Sequence, residues 1–192
     1  SADNQAAYPC FMLIPQANTT DGWNGNTLGQ VVRAIRQLSA TYSIDHNRIY
    51  LTGLSLGGAG TWTAINRFPS VFAAAAPMAG WGPGNYERNA GIPIWCFHAA
   101  DDPVVTVLGS DSAVAGTRQA GGQVIYTRYT TGGHNIWGTA YGNPYLLPWL
   151  MAQRRNQPMR GDLLVEITDP SDRFVPASVL STRDASGTAT LP

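Results

Sequence analysis

The 192-residue chain contains no lysine; all 12 of its basic residues are arginine. A Schiff-base amine, a phosphate-cradling lysine and a lysine general base are thereby excluded. Charge of either sign is scarce, 12% of residues, and 12 acidic against 12 basic groups leave a formal net charge of zero. Nucleic acids and anionic lipid are held by clustered cationic side chains that release counterions, so neither nucleic acid nor membrane is expected as a partner. Cysteine is sparse too: Cys10 and Cys96 lack any CxxC or Cys/His spacing for zinc, and they read as two buried free thiols. No metal and no cofactor is expected. The longest apolar stretch, near Val71 to Gly80, is too short and too alanine-rich to span a bilayer.

What the chain does contain is 44% hydrophobic residues with 21 Gly and 13 Pro. That is enough apolar material for one folded domain and too much for a disordered chain. The low charge and the Asn, Thr, Gly and Trp content suit an exported protein, secreted or periplasmic.

Hydrophobic periodicity predicts alternating strands and helices. Pro9 to Pro15 is a short continuous apolar run, expected to be a buried strand of a parallel sheet. From Thr27, Leu28, Val31, Val32, Ile35 and Leu38 fall at helical spacing, with Thr27 and Gln30 as a capping box and an end near Tyr42. Strands are expected over Arg48–Gly53, Val71–Ala79, Ile92–His98 and Gln123–Tyr129, and helices over Gly57–Phe68, Val107–Ala120 and Tyr145–Arg155. Such alternation implies an α/β fold: an open, mostly parallel sheet with helices on both faces and the ligand site at the carboxyl ends of the strands. Residues 1–157 read as the main α/β domain. Residues 158–192, with Leu163–Thr168 as a strand candidate, read as a β-type tail or the start of an appended module.

Between the second expected strand and its helix lies Gly53-Leu54-Ser55-Leu56-Gly57, the G-x-S-x-G pattern of a nucleophile elbow. The serine of such an elbow sits on a sharp, strained turn; glycines at both flanks are expected to remove Cβ clashes, and the helix that follows aims its N-terminal dipole at the site. A serine hydroxyl needs a general base that is itself oriented by a carboxylate. In elbow hydrolases these follow in the order serine, acid, histidine. Of the three histidines, His134 in Gly132-Gly133-His134-Asn135 is the one that follows a plausible acid; His46 reads as a surface or capping residue and His98 as a structural hydrogen-bonding residue. Asp101 and Asp102 both qualify as the acid, and spacing alone does not separate them. Trp23, Trp81 and Trp137, with Tyr141 nearby, fall at expected strand ends and are candidates for an aromatic wall against an acyl or sugar group. Trp62 and Trp95 are expected in the core.

Tyr8-Pro9-Cys10-Phe11, the run Asp45 to Gly58, Ile94 to Val105, and Gly133-His134-Asn135-Ile136-Trp137 together resemble the predicted-peptidase or esterase branch of the α/β-hydrolases, close to polyhydroxybutyrate depolymerases and to feruloyl and acetylxylan esterases. The resemblance runs from about Tyr8 to Arg155. In the family's His-Gly-x-x-Asp motif the acid stands four residues after the histidine, which implies Asp102 rather than Asp101; Ala99 replaces the usual glycine. The resemblance implies a further loop, of His-Gly-Gly type, on an earlier strand that gives one oxyanion amide. Nothing before Tyr8 fits that strand, so the amino-terminal part of the fold is expected to be absent from these residues and to be completed by an amino-terminal segment or a second chain. Leu56, after the nucleophile, is expected to supply the other oxyanion amide.

The expected activity is that of a serine ester hydrolase working through an acyl-enzyme on a small-molecule or polymer-linked ester. A carboxylesterase acting on feruloyl or acetyl groups of polysaccharide leads, followed by a polyester depolymerase and then a peptidase. A non-catalytic binding module derived from a hydrolase is the reading of another class. Ser55, His134 and Asp102 are the expected nucleophile, base and acid.

Overall fold

A computed structural model describes residues 2–17 and 22–159. After a short helix α1 (Ala2–Ala7), the order is α2 (Gly25–Thr41), β1 (Tyr50–Leu54), α3 (Leu56–Arg67), β2 (Ala74–Met78), a 3-10 turn (Glu87–Asn89), β3 (Ile94–Ala99), α4 (Leu108–Gln119), β4 (Val124–Tyr129), α5 (Trp137–Tyr141) and α6 (Leu146–Ala152). The strands form one sheet in the order β1-β2-β3-β4, parallel throughout. Parallel neighbours need a crossover: α3 carries β1 to β2, the segment with the 3-10 turn carries β2 to β3, and α4 carries β3 to β4, while α2 precedes β1 and adds to the cover.

Strand periodicity of two divides the core cleanly. Ala75, Ile94, Cys96 and Val124 point to the face covered by Leu28, Trp62, Ile65, Ala113 and Val114 from α2, α3 and α4. Ala76, Met78, Trp95, Phe97 and Ile125 point to the other face, under Ala140, Leu146, Trp149 and Leu150 from α5 and α6. The sheet is therefore open, parallel and covered on both sides. Trp62 and Trp95 lie in these cores, as their positions within a helix and a strand imply.

The run Pro9–Pro15 is a correction. It joins no sheet among the described residues, and Phe11, Met12 and Ile14 are 65%, 75% and 80% exposed. An apolar run becomes a buried strand only where a neighbouring strand takes its backbone groups, and here Phe11 merely leans on the Tyr42 ring, 5.2 Å away. Cys10, beside it, is exposed while Cys96 is buried, so one of the two free thiols is not in the core. Helix α2 also starts earlier than expected. Asn24 caps it, its side-chain oxygen accepting the Asn26 and Thr27 amides, and Thr27 sits inside the first turn instead of opening a capping box with Gln30. The tail expected at 158–192 lies almost wholly outside the described residues.

Candidate active site

Ser55 stands between the last residue of β1 and the first of α3. Its backbone is left-handed, φ 54° and ψ −119°, a conformation that costs a non-glycine residue of order 1–3 kcal/mol. Two hydrogen bonds secure the turn: Ser55 N–H donates to the Met78 carbonyl at 2.9 Å, and the Ser55 carbonyl accepts the Ala59 amide at 3.0 Å. Close approach of strand and helix explains Gly53, since a Cβ there would fall 2.3 Å from the Gly57 carbonyl oxygen. Gly57 is different. A Cβ on it would meet nothing within 4 Å, so the expected clash at the second flank is not found among the described residues.

Leu56 opens α3, and its amide belongs to the first turn, where no intrahelical carbonyl can accept it. It is thus oriented with the positive end of the helix dipole beside the serine.

His134 comes from the loop after β4. Gly132 and Gly133 adopt φ 145° and φ 60°, which turns the chain back sharply enough to point the imidazole at the elbow. His134 Nε2 lies 2.9 Å from Ser55 Oγ, and His134 Nδ1 lies 2.8 Å from Asp102 Oδ2. The serine, the histidine and the aspartate thus stand in the order that nucleophile, base and orienting carboxylate require, although 79 and 32 residues separate their contacts along the chain.

Asp102 follows β3, its side chain buried. Oδ1 accepts the Val104 and Val105 amides at 2.8 and 2.9 Å, while Oδ2 faces His134 and also His98 Nε2 at 3.2 Å. Burial pushes this carboxyl up, but the hydrogen bond from His134 and the two amides outweigh it and hold the group below its ordinary value. The carboxylate is the form that can accept from an imidazole N–H.

The structure separates the two adjacent acids that spacing left open. Asp101 accepts the Gly133 amide at 2.8 Å, gripping the backbone of the loop whose ring Asp102 receives. This contact is not legible in the chain, because 32 residues separate its ends. His98 is wholly buried, as a structural hydrogen-bonding residue should be, and His46 is exposed in a turn.

The aromatic candidates are not brought together as one wall. Trp137 meets the His134 ring edge-to-face at 5.8 Å and packs on the α5–α6 side of the sheet. Trp81 follows β2 and is 42% exposed, its Cβ against Gly109 in the first turn of α4. Trp23 packs on the opposite side of the sheet from Trp137, its ring over Gly60 of α3. Tyr141, 41% exposed, donates its hydroxyl to Thr52 Oγ1 at 2.9 Å. Among the described residues there is no group of three or more His, Cys, Asp or Glu placed to hold a metal ion, and no helix is long and apolar enough to cross a membrane.

Residues 16–82 match the model of the prolyl oligopeptidase family. Over 100 residues the chain is 39% identical to poly(3-hydroxyalkanoate) depolymerase C of Paucimonas lemoignei, covering 52% of this chain and 23% of that protein. It is 27% identical over 101 residues to feruloyl esterase B of Talaromyces funiculosus, covering 52% and 25% of the two chains. The crystal structure of a thermostable esterase superimposes with a TM-score of 0.77 at 41% identity, over 81% of this chain and 47% of that one. The chain therefore spans about a quarter of these curated relatives and about half of the solved esterase. The four-stranded parallel sheet and the likeness to this esterase show that the chain has the α/β-hydrolase fold.

Proposed function

We propose that the chain is the serine-bearing part of a carboxylic ester hydrolase that works through an acyl-enzyme. The observation that carries this is the unbroken contact from Ser55 Oγ through His134 to Asp102 Oδ2, at 2.9 and 2.8 Å. In this reading Ser55 attacks the ester carbonyl and His134 takes its proton at Nε2. His134 then returns the proton to the departing alcohol oxygen, and water repeats the sequence to release the acid. Asp102 fixes the imidazole with Nδ1–H towards the carboxylate and Nε2 free to accept. The Leu56 amide serves the oxyanion. One amide alone leaves rate unclaimed, since loss of a single donor costs about 10² to 10³. The second donor is placed on a strand paired along the open edge of β1, from an amino-terminal segment or a second chain.

The substrate proposed is a small-molecule or polymer-linked ester, with feruloyl or acetyl groups of polysaccharide ahead of a polyester. Names among the relatives support both. Trp81 and Trp137 are proposed to flank a flat acyl group; Trp23 packs on the face of the sheet opposite Trp137. A polymer too large to enter a cell requires a secreted or periplasmic enzyme, and that setting is part of the proposal. The test is a short p-nitrophenyl ester: a burst of p-nitrophenol equal to the enzyme, lost in Ser55→Ala, is expected. A folded protein with neither a burst nor phosphonate labelling would support the non-catalytic module instead.

A further inference from the structure

We propose that His98 is a positioning residue for this reaction, holding the same oxygen of Asp102 that receives His134 and tying it, through Ser110, to the backbone beneath Trp81. The inference rests on the ester-hydrolase reading. It starts from a hydrogen-bond inventory. His98 Nε2 lies 3.0 Å from the Val105 carbonyl and 3.2 Å from Asp102 Oδ2, and a carbonyl and a carboxylate can only accept. Nε2 therefore carries a hydrogen whatever the state of the other nitrogen. Nδ1 lies 2.8 Å from Ser110 Oγ, which in turn lies 3.0 Å from the Gly80 carbonyl. Both ring nitrogens are engaged, so the imidazole is held against rotation. His98 and Ser110 are each 0% exposed, and no solvent competes.

The arrangement completes Asp102. Its Oδ1 takes two amides, and its Oδ2 takes the His134 imidazole and a share of the single His98 Nε2–H, whose other and nearer acceptor is the Val105 carbonyl. Without His98, Oδ2 would keep one donor, and the carboxylate could tilt away from the plane that aims His134 at Ser55. Tilting harms proton transfer and leaves substrate binding alone, because His98 touches nothing on the substrate side. The contacts also form a continuous path: Gly80 carbonyl, Ser110, His98, Asp102, His134, Ser55. Gly80 immediately precedes Trp81, so the segment that carries the proposed aromatic contact and the nucleophile share one buried hydrogen-bonded support.

The experiment compares the full chain with His98→Leu, His98→Gln and Ser110→Ala, each checked for native near-ultraviolet circular dichroism. Turnover of p-nitrophenyl acetate gives kcat and KM, phosphonate titration counts working sites, and the low-field proton resonance of His134 Nδ1–H reads the Asp102 bond without substrate. His98→Leu should lower kcat roughly tenfold to a hundredfold, the worth of one hydrogen bond to a charged group, at unchanged KM and with the resonance displaced. His98→Gln, which keeps an N–H within reach of Oδ2, should restore most of the loss. Ser110→Ala should lower kcat roughly threefold. A folded His98→Leu with wild-type kcat and an unmoved resonance overturns the proposal, as does a loss that phosphonate titration traces wholly to missing sites. Should His98→Leu fail to fold, His98→Gln and Ser110→Ala decide: both at wild-type kcat with the resonance unmoved overturns it. A wild type inert to ester and phosphonate overturns the hydrolase reading and this inference with it, whereas an active wild type with an indifferent His98 overturns this inference alone.

Discussion

Asp101 Oδ1 accepts the Gly133 amide at 2.8 Å, so the neighbour of the carboxylate on the His134 ring holds the backbone of the same loop. The bond is exposed, which limits its worth to that of an ordinary hydrogen bond. Asp101→Ala should lower kcat by roughly threefold to tenfold, and Asp101→Asn, which keeps an acceptor oxygen, by less. Steady-state turnover of p-nitrophenyl acetate checks this; equal damage from both variants would mean that charge, not the Gly133 bond, is what matters.

Asp102 should be of another order. Asp102→Asn removes the acceptor that selects the His134 tautomer, and a loss of about 10⁴ in kcat is expected with the fold intact. Ser55→Ala should abolish labelling by an organophosphonate, read as the absence of a mass adduct.

The lowered Asp102 value has a sign in stability. A carboxyl held below its ordinary 3.8 stabilises the folded chain above that pH, and the contribution is lost as pH falls through the lower folded value. Urea midpoints measured from pH 5 downwards should fall more steeply for the wild type than for Asp102→Asn. Parallel curves would contradict the assignment.

The two thiols should differ in reactivity. Cys96 is wholly buried, and burial pushes its thiol up to about 12, whereas Cys10 is exposed. A thiol reagent should therefore titrate one group in the native protein and the second only in denaturant. Two groups reacting at once, or none, would count against this.

Substrate preference is tested at the exposed tryptophan. Trp81→Ala should lower kcat/KM for a feruloyl ester more than for p-nitrophenyl acetate, by no more than roughly 10- to 200-fold, since apolar contacts discriminate weakly. Equal losses on both would return the substrate to an unspecified ester.

Much of this was legible in the chain. Helical spacing placed α2, α3 and α4, and turn residues bounded the strands, because those signals act within a few residues of one another. Pro9–Pro15 was misread since its apolar content says nothing of whether a neighbouring strand exists to pair with it. The glycine pair before His134 and the elbow around Ser55 were visible as local backbone demands. The cap at Asn24 was missed because Thr27 offered an equally good local pattern three residues on.

The sequence by itself determined the alternation of strands and helices, the strained serine turn and the list of groups able to act as nucleophile, base and acid, all properties of short stretches of backbone and of side-chain chemistry. Only the tertiary structure decided which acid faces which part of the histidine loop, that His98 shares the Asp102 oxygen with His134, and that Trp23 and Trp137 lie on opposite sides of the sheet. These are directions in space set by parallel packing across tens of residues, and a hydrogen bond depends on a few tenths of an ångström that no spacing along the chain encodes.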